Sequence, residues 1–342
     1  MRKILLMTLS IFLVLTTAHS AHAKKKKFIM KIGSVAPNGT PWSKLAKTVK
    51  KTIEKDAKKK ITDTKVKVKV YLGGILGGEK SVLRRVKKGE IDIYGGSLGA
   101  LATDVPEMGV IELPYLLKNF KEADFLLDKV LLKEFKKLME AKGYHFMLWS
   151  ENGYRSIGTK DVSGETVSKL KGLKLRAQEQ KVYTDLYKTW GASPVPIAVP
   201  EVLSALQTGI VDGFCQTLIF TFATSWYTAI THYTLTNHIY QPGIIILSKK
   251  KYDTYPDALK KIALRDWTKL RKKSTKQIRR MNPLLLENLK KAGIKVIEPS
   301  PAELKEFSKD VKSVYKNFYN NTTPTGKKLF KLVEKNLKRK LL

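Results

Sequence analysis

One arginine stands at the end of a short alternating segment, Gly172-Leu-Lys-Leu-Arg176, just before a break. A second stretch, Ala205-Leu-Gln-Thr-Gly209-Ile-Val-Asp-Gly213, reads as a helix end, a glycine stop and a buried strand. An arginine at a strand end in an open α/β unit points to the crevice where such sheets take ligands. Its planar fork offers two parallel charge-assisted hydrogen bonds, so the chemistry it suits is gripping a carboxylate. Arg155, in Asn152-Gly-Tyr-Arg-Ser156, opens the second α/β unit and is the other candidate. Taken alone, either arginine fits a surface ion pair as well.

The remaining polar candidates are weaker. Gln216 follows the Val211-Asp-Gly213 segment as a pocket donor or a helix-start residue. Ser97 lies in Gly95-Gly-Ser-Leu-Gly99, where backbone N–H groups can face an anion. That turn lacks phosphate-loop spacing, so nucleotide binding is not indicated. Trp149, Tyr154 and Val199 are candidates for pocket walls, though each fits a core position too. The histidines beyond the first 23 residues, His145, His232 and His238, lack metal-ligand spacing. Cys215 carries no nucleophile signature and reads as a small buried thiol. Neither catalysis nor a cofactor is expected.

These residues need a scaffold, and the hydrophobic pattern supplies one. Phe28 to Ala36 reads as a strand, followed by a helix with Thr40 as its cap and Pro41 in its first turn. Trp42, Leu45, Ala46, Val49, Ile53 and Ala57 form its apolar stripe. Lys65-Val-Lys-Val-Lys-Val70 alternates like a half-buried strand. A helix from Glu79 to Lys88 stops at Gly89, and Ile91 to Tyr94 is the next strand. Helices near 121–128 and 130–142 lead to a strand at His145 to Trp149. Strand–helix alternation then restarts, with strands at 173–175, 195–198 and 210–214. The apolar strand Gly243 to Leu247 returns to the first unit.

This alternation predicts an α/β fold of two lobes meeting at a cleft. Residues 28–152 plus 241–280 would form one lobe and 153–240 plus 281–342 the other. From Pro256 to Lys291 the pattern is helical, interrupted at Asn282-Pro283. Either a kinked rod bridges both lobes or two helices meet in a turn there.

Composition narrows the class. The 342 residues are 43% hydrophobic and hold a single cysteine, so the cores need no intramolecular disulfide. Lys and Arg number 65 against 30 Asp and Glu, a formal net charge of +35. Such charge suits a polyanionic partner or a solvated lysine coat. The lysines fall on the polar faces of helices and strands, without aromatic interleaving or zinc spacing, which argues against nucleic acid. Residues 1–23 read as a signal peptide: Arg2 and Lys3, an apolar run from Ile4 to Thr17, and Ala21-His-Ala23 as the cleavage site. Lys24 to Lys27 directly after the cut leave an uncleaved anchor as the alternative.

Several motifs together resemble one family. They are Ile32-Gly-Ser-Val-Ala-Pro37, Gly73-Gly-Ile-Leu-Gly77, Leu113-Pro-Tyr115, Leu170 to Arg176, Gly191-Ala-Ser-Pro-Val-Pro196 and Ala205 to Gly213. On these the chain resembles the solute-binding proteins of tripartite ATP-independent periplasmic (TRAP) transporters, the dicarboxylate/sialic-acid-binding (DctP) type. The resemblance implies a periplasmic Venus-flytrap protein with a long helix spanning both lobes, TRAP membrane subunits as partners, and no catalysis. It implies that Arg176 forms the main salt bridge to a ligand carboxylate and that Arg155 assists. It places Ser97 on the pocket wall and Glu79 near the mouth. The chain also departs from the pattern. Ala177-Gln178 follow the key arginine, Gln216 replaces the usual asparagine, and Val199 stands where sialate binders carry an aromatic ring. The expected ligand is a small organic acid. The alternatives are a largely apolar ligand served with an extra periplasmic helical-repeat protein, or a basic protein binding anionic surfaces.

Overall fold

A computed structural model of the chain describes residues 26–342. The signal sequence and its cleavage site lie outside the described residues. The described residues form nine strands, β1 (Lys26–Gly33), β2 (Thr64–Tyr71), β3 (Ile93–Ser97), β4 (Tyr144–Thr159), β5 (Lys174–Ala177), β6 (Ser193–Pro196), β7 (Gly213–Thr217), β8 (His232–Ser248) and β9 (Lys295–Ile297). They run in the order β2-β1-β3-β8-β4-β7-β5-β6, with β9 on β8.

Two parallel wings result, β2-β1-β3 and β7-β5-β6, as the strand–helix alternation requires. They are joined by the antiparallel pair β4–β8, whose 16 and 17 residues run through both wings. The expected α/β two-lobed architecture is therefore present, and its lobes share these two strands. The sequence suggested only short pieces, 145–149 and 243–247. The sequence puts the start of the second α/β unit at Asn152-Gly153, and the structure makes it a bulge within one strand: the register shifts between Glu151 and Gly153 while pairing continues. Gly153 sits there at φ +97°, where an L side chain is strained.

Local signals hold well elsewhere. The helix Pro41–Lys60 begins where Thr40 accepts a hydrogen bond from the Ser43 N–H at 3.2 Å. Its stripe Leu45, Ala46, Val49, Ile53 and Ala57 is buried against β1, β2 and β3. The helix Glu79–Lys88 ends on Gly89 in the left-handed region.

The helical run from Asp257 to Lys291 is long and bent, in segments Asp257–Ala263, Thr268–Arg279 and Asn282–Lys291. Pro283 lies in the first turn of the last segment, where its missing N–H costs nothing. Leu259, Ile262 and Trp267 join the core under the Pro41–Lys60 helix, whereas Leu285 and Leu289 join the core around Val202, Leu206 and Phe214. The run thus ties both wings. The C-terminal helices Pro301–Lys309, Val311–Asn321 and Pro324–Leu337 do so too. Val314 and Phe330 share a core with Leu98 and Tyr183, and the Tyr315 hydroxyl donates to Pro114 O at 2.6 Å.

Where the bent run crosses β4, Arg279 donates from Nε to Glu151 Oε2 at 2.7 Å and from its two Nη atoms to Asp124 at 2.7 and 2.8 Å. Burial raises the Glu151 carboxyl, and despite Arg279 it sits at about 7. Truncating one partner of a buried ion pair ordinarily costs ~3–5 kcal/mol. Here the orphaned Glu151 can take a proton instead. Arg279→Ala should therefore lose only ~1–2 kcal/mol at pH 6 and clearly more at pH 9. Urea melts at the two pH values check it; equal losses would contradict this account.

Candidate functional site

A cavity lies between the helix Pro41–Lys60, the sheet strands β1, β3 and β8, and the end of β5. About 50 Å³ of it is open to the centre of a water-sized sphere. Gly95 and Gly96 on β3 border the space. A Cβ on Gly96 would collide with the Tyr94 hydroxyl and Glu79 Oε1.

Arg176 reaches the cavity from β5 and is 2% exposed. Its Nε and Nη2 both donate to Ile197 O, at 2.9 and 2.7 Å, and its guanidinium lies 5.3 Å from the Trp226 ring centroid. Among the described residues Nη1 has no hydrogen-bond partner and no carboxylate forms an ion pair with this side chain. Burial, reinforced by the nearby Arg155 charge, lowers its pKa to about 10, so it stays cationic at neutral pH. A buried cation with a free donor edge facing a cavity is a site for an anion.

Arg155 occupies a different place. It is buried behind the cavity wall and is not among the lining residues. From β4 its Nη1 donates to Oε1 of Gln241, Gln178 and Gln216 at 2.8, 3.2 and 3.2 Å. All three glutamines line the cavity. By holding their carbonyl oxygens, Arg155 fixes the three amides: Gln241 Nε2 donates to Gln178 Oε1 and the Tyr183 hydroxyl, Gln178 Nε2 donates to Ser97 Oγ, and Gln216 Nε2 keeps no partner among the described residues. Arg155 acts on the site through them. Its Nη2 donates to Cys215 O and its Nε to Cys215 Sγ at 3.0 Å. Cys215 Sγ also lies 3.0 Å from His238 Nε2. Burial pushes this thiol up, but Arg155 and His238 outweigh burial and bring it down to about 6. The group that Arg155 pulls towards ionisation is thus a thiol rather than a carboxylate. Arg155→Ala would remove the charged donor shared by three glutamine carbonyls, leaving each with one other partner, and would take away the cation beside the buried Cys215 thiol. Its melting free energy should fall by ~2–4 kcal/mol, together with weakened ligand binding; denaturant melts alongside titration test both.

The other expected residues divide. Glu79 and Ser97 line the cavity but are bound to each other: Glu79 Oε1 accepts from the Ser97 N–H at 2.7 Å and the Tyr94 hydroxyl at 2.8 Å, and Oε2 accepts from Ser97 Oγ at 2.9 Å. Gln216 lines it from inside β7, three residues later than the strand expected from the sequence. Its Oε1 also accepts from the Thr217 N–H at 2.7 Å, which leaves Nε2 without a partner among the described residues. Val199 lines it from the turn Val199–Glu201. Trp149 is not brought there. It faces the other side of β4, 4.8 Å from the Phe146 ring and 6.2 Å from Phe135. Neighbouring Ser150 and Asn152 line the cavity instead. Sequence reasoning also missed Gln178, Gln241 and Phe220. The signal for Gln241 was a polar side chain placed just before the very apolar run from Gly243.

Residues 32–322 match the family model described as bacterial extracellular solute-binding protein, family 7. The chain belongs to that family. A curated "solute-binding protein" of Verminephrobacter eiseniae is 30% identical over 60% of this chain and 62% of its own length, so that match spans a little under two thirds of the relative. Two solved structures superpose over nearly their whole length. A TRAP periplasmic solute-binding protein from Polaromonas sp. JS666, bound to D-erythronate, has TM-score 0.82 and 29% identity, covering 90% of this chain and 98% of that one. A sugar-acid-binding protein of Advenella mimigardefordensis, in complex with galactonate, has TM-score 0.84 and 26% identity, covering 91% and 99%.

Proposed function

We propose that the chain captures a small organic acid by its carboxylate and hands it to the membrane subunits of a TRAP transporter. The observation that carries this reading is Arg176: a buried guanidinium with a free Nη1 edge on the cavity and no carboxylate of its own among the described residues. Both solved relatives named above hold a carboxylate ligand. Lobes 28–152 plus 241–280 and 153–240 plus 281–342 would hinge at the bulge beside Gly153 and at Pro242 opposite it, supported by the register shift there. Closure excludes water from the ion pair and strengthens it. The protein would work in the periplasm after removal of residues 1–23. No helix among the described residues is long and apolar enough to cross a membrane.

Native mass spectrometry of the periplasmic protein tests these points together. The expected result is a chain beginning at Lys24 that carries one small acidic adduct. An unshifted mass, with no thermal stabilisation by any carboxylate, would overturn the reading.

A further inference from the structure

We propose that the ligand is a short aliphatic monocarboxylate rather than a polyhydroxylated acid or a dicarboxylate. The proposal rests on the reading that Arg176 takes a carboxylate, and it concerns what surrounds the rest of the molecule.

Away from Arg176 the cavity is walled by hydrocarbon. Ile32, Ile93 and Ile245 come from the sheet; Leu45, Ala46 and Val49 come from the helix Pro41–Lys60. None of these six is more than 4% exposed. They belong to the same core cluster, so the cavity runs into the first lobe's interior. An aliphatic tail gains by entering such a space, in proportion to the surface it removes from water.

The polar wall has little left to offer hydroxyl groups. Both Glu79 oxygens accept from Ser97 or Tyr94. Ser97 Oγ accepts from Gln178 Nε2 at 2.7 Å. Gln178 Oε1 accepts from Gln241 Nε2 at 2.6 Å, and Gln241 Oε1 accepts from Asn152 Nδ2 at 3.3 Å as well as from Arg155. Arg176 Nη1 and Gln216 Nε2 have no partner among the described residues and can serve the two oxygens of a single carboxylate; the lining Ser34 hydroxyl accepts from the Ala36 N–H at 3.1 Å and still has its proton to donate. Ser150 Oγ, buried and unpartnered, can serve one further substituent, with Asn152 Oδ1 near it beside Gly243. Ser34, Ser150 and Asn152 can serve a few substituents, but an acid with a hydroxyl on every carbon would turn the rest against the six apolar side chains unpaired.

Charge excludes a second carboxylate. Arg176 is the one cationic side chain among the described lining residues, and Glu79 is the one anionic. A dicarboxylate would have to place its second group against hydrocarbon or against Glu79.

Calorimetric titration of the ligand-stripped full protein with 3-methylbutanoate, D-erythronate and succinate tests the proposal. The expected result is 3-methylbutanoate at least tenfold tighter than either of the others. In Val49→Ala the apolar end is longer, and hexanoate should gain at least threefold on 3-methylbutanoate. If that variant does not fold, the wild-type ratios decide alone. D-Erythronate or succinate binding as tightly as 3-methylbutanoate, with Arg176→Ala abolishing it, would overturn the aliphatic assignment and keep the carboxylate reading. Binding of any of these acids that is unaffected by Arg176→Ala, or no binding of any of them, would overturn both.

Discussion

Arg176→Ala is expected to abolish measurable binding of the cognate acid while the protein stays folded. Truncating one member of a buried, hydrogen-bonded charge pair costs ~2–5 kcal/mol, roughly 30- to 4000-fold in affinity. The folded state should tolerate the change. Without ligand the guanidinium is a buried cation beside a second buried cation, Arg155, and burial already works against its charge. Only two hydrogen bonds, both to Ile197 O, are lost. Arg176→Lys should recover little. Nε and Nη2 anchor the group while Nη1 faces the cavity, and a single ammonium cannot do both. Titration of each variant beside a thermal melt separates binding from folding. Wild-type affinity in Arg176→Ala would show that the acid is held elsewhere, with the three glutamines as the next place to look.

How far the sequence reached can be seen by comparing the two arginines. Arg176 was legible because a strand-end position in an α/β unit is a local property, and β5 ends one residue later. Arg155 was legible as important but not in its role. Its partners Gln178, Gln216 and Gln241 lie 23, 61 and 86 residues away in the chain, and it takes the β4–β7, β4–β8 and β5–β7 pairings to bring them together. Trp149 shows the limit from the other side. Alternation along a strand says that 149 and 150 face opposite ways. It does not say which face meets the cavity, and the structure gives that face to Ser150. The Pro41–Lys60 helix was fully readable, stripe and cap alike, because an amphipathic helix writes its buried face into a 3.6-residue period. The long strands were not, because a bulge at Asn152-Gly153 carries the same residues as a turn.

Stability should fall, not rise, as pH is raised from 5 to 6, and Glu112 should be a main cause. Its side chain is fully buried; Oε2 accepts from the Tyr183 hydroxyl at 3.1 Å and Oε1 has no partner among the described residues. Burial drives the carboxyl up to about 8, against the opposing pull of Arg155 and Tyr183. Glu151 is raised by burial to about 7. Each folded-state value lies above the ordinary one of 4.5. The folded protein therefore keeps protons that the unfolded chain releases. The stabilisation is complete below about pH 4.5 and is lost as pH rises through the folded values. Each group contributes about 1.4 kcal/mol per pH unit in that window, so the two together give ~2–3 kcal/mol between pH 5 and 6. Above about pH 6 the Cys215 thiolate works the other way. Its folded pKa is depressed to about 6, so its contribution grows as pH rises towards the ordinary thiol range and flattens the curve. Urea melts at half-unit steps should show the early fall, and Glu112→Gln should remove about half of it while keeping the Tyr183 hydrogen bond. A wild-type curve that rises from pH 5 to 6, or a slope untouched by Glu112→Gln, would mean that Glu112 is ionised in the fold.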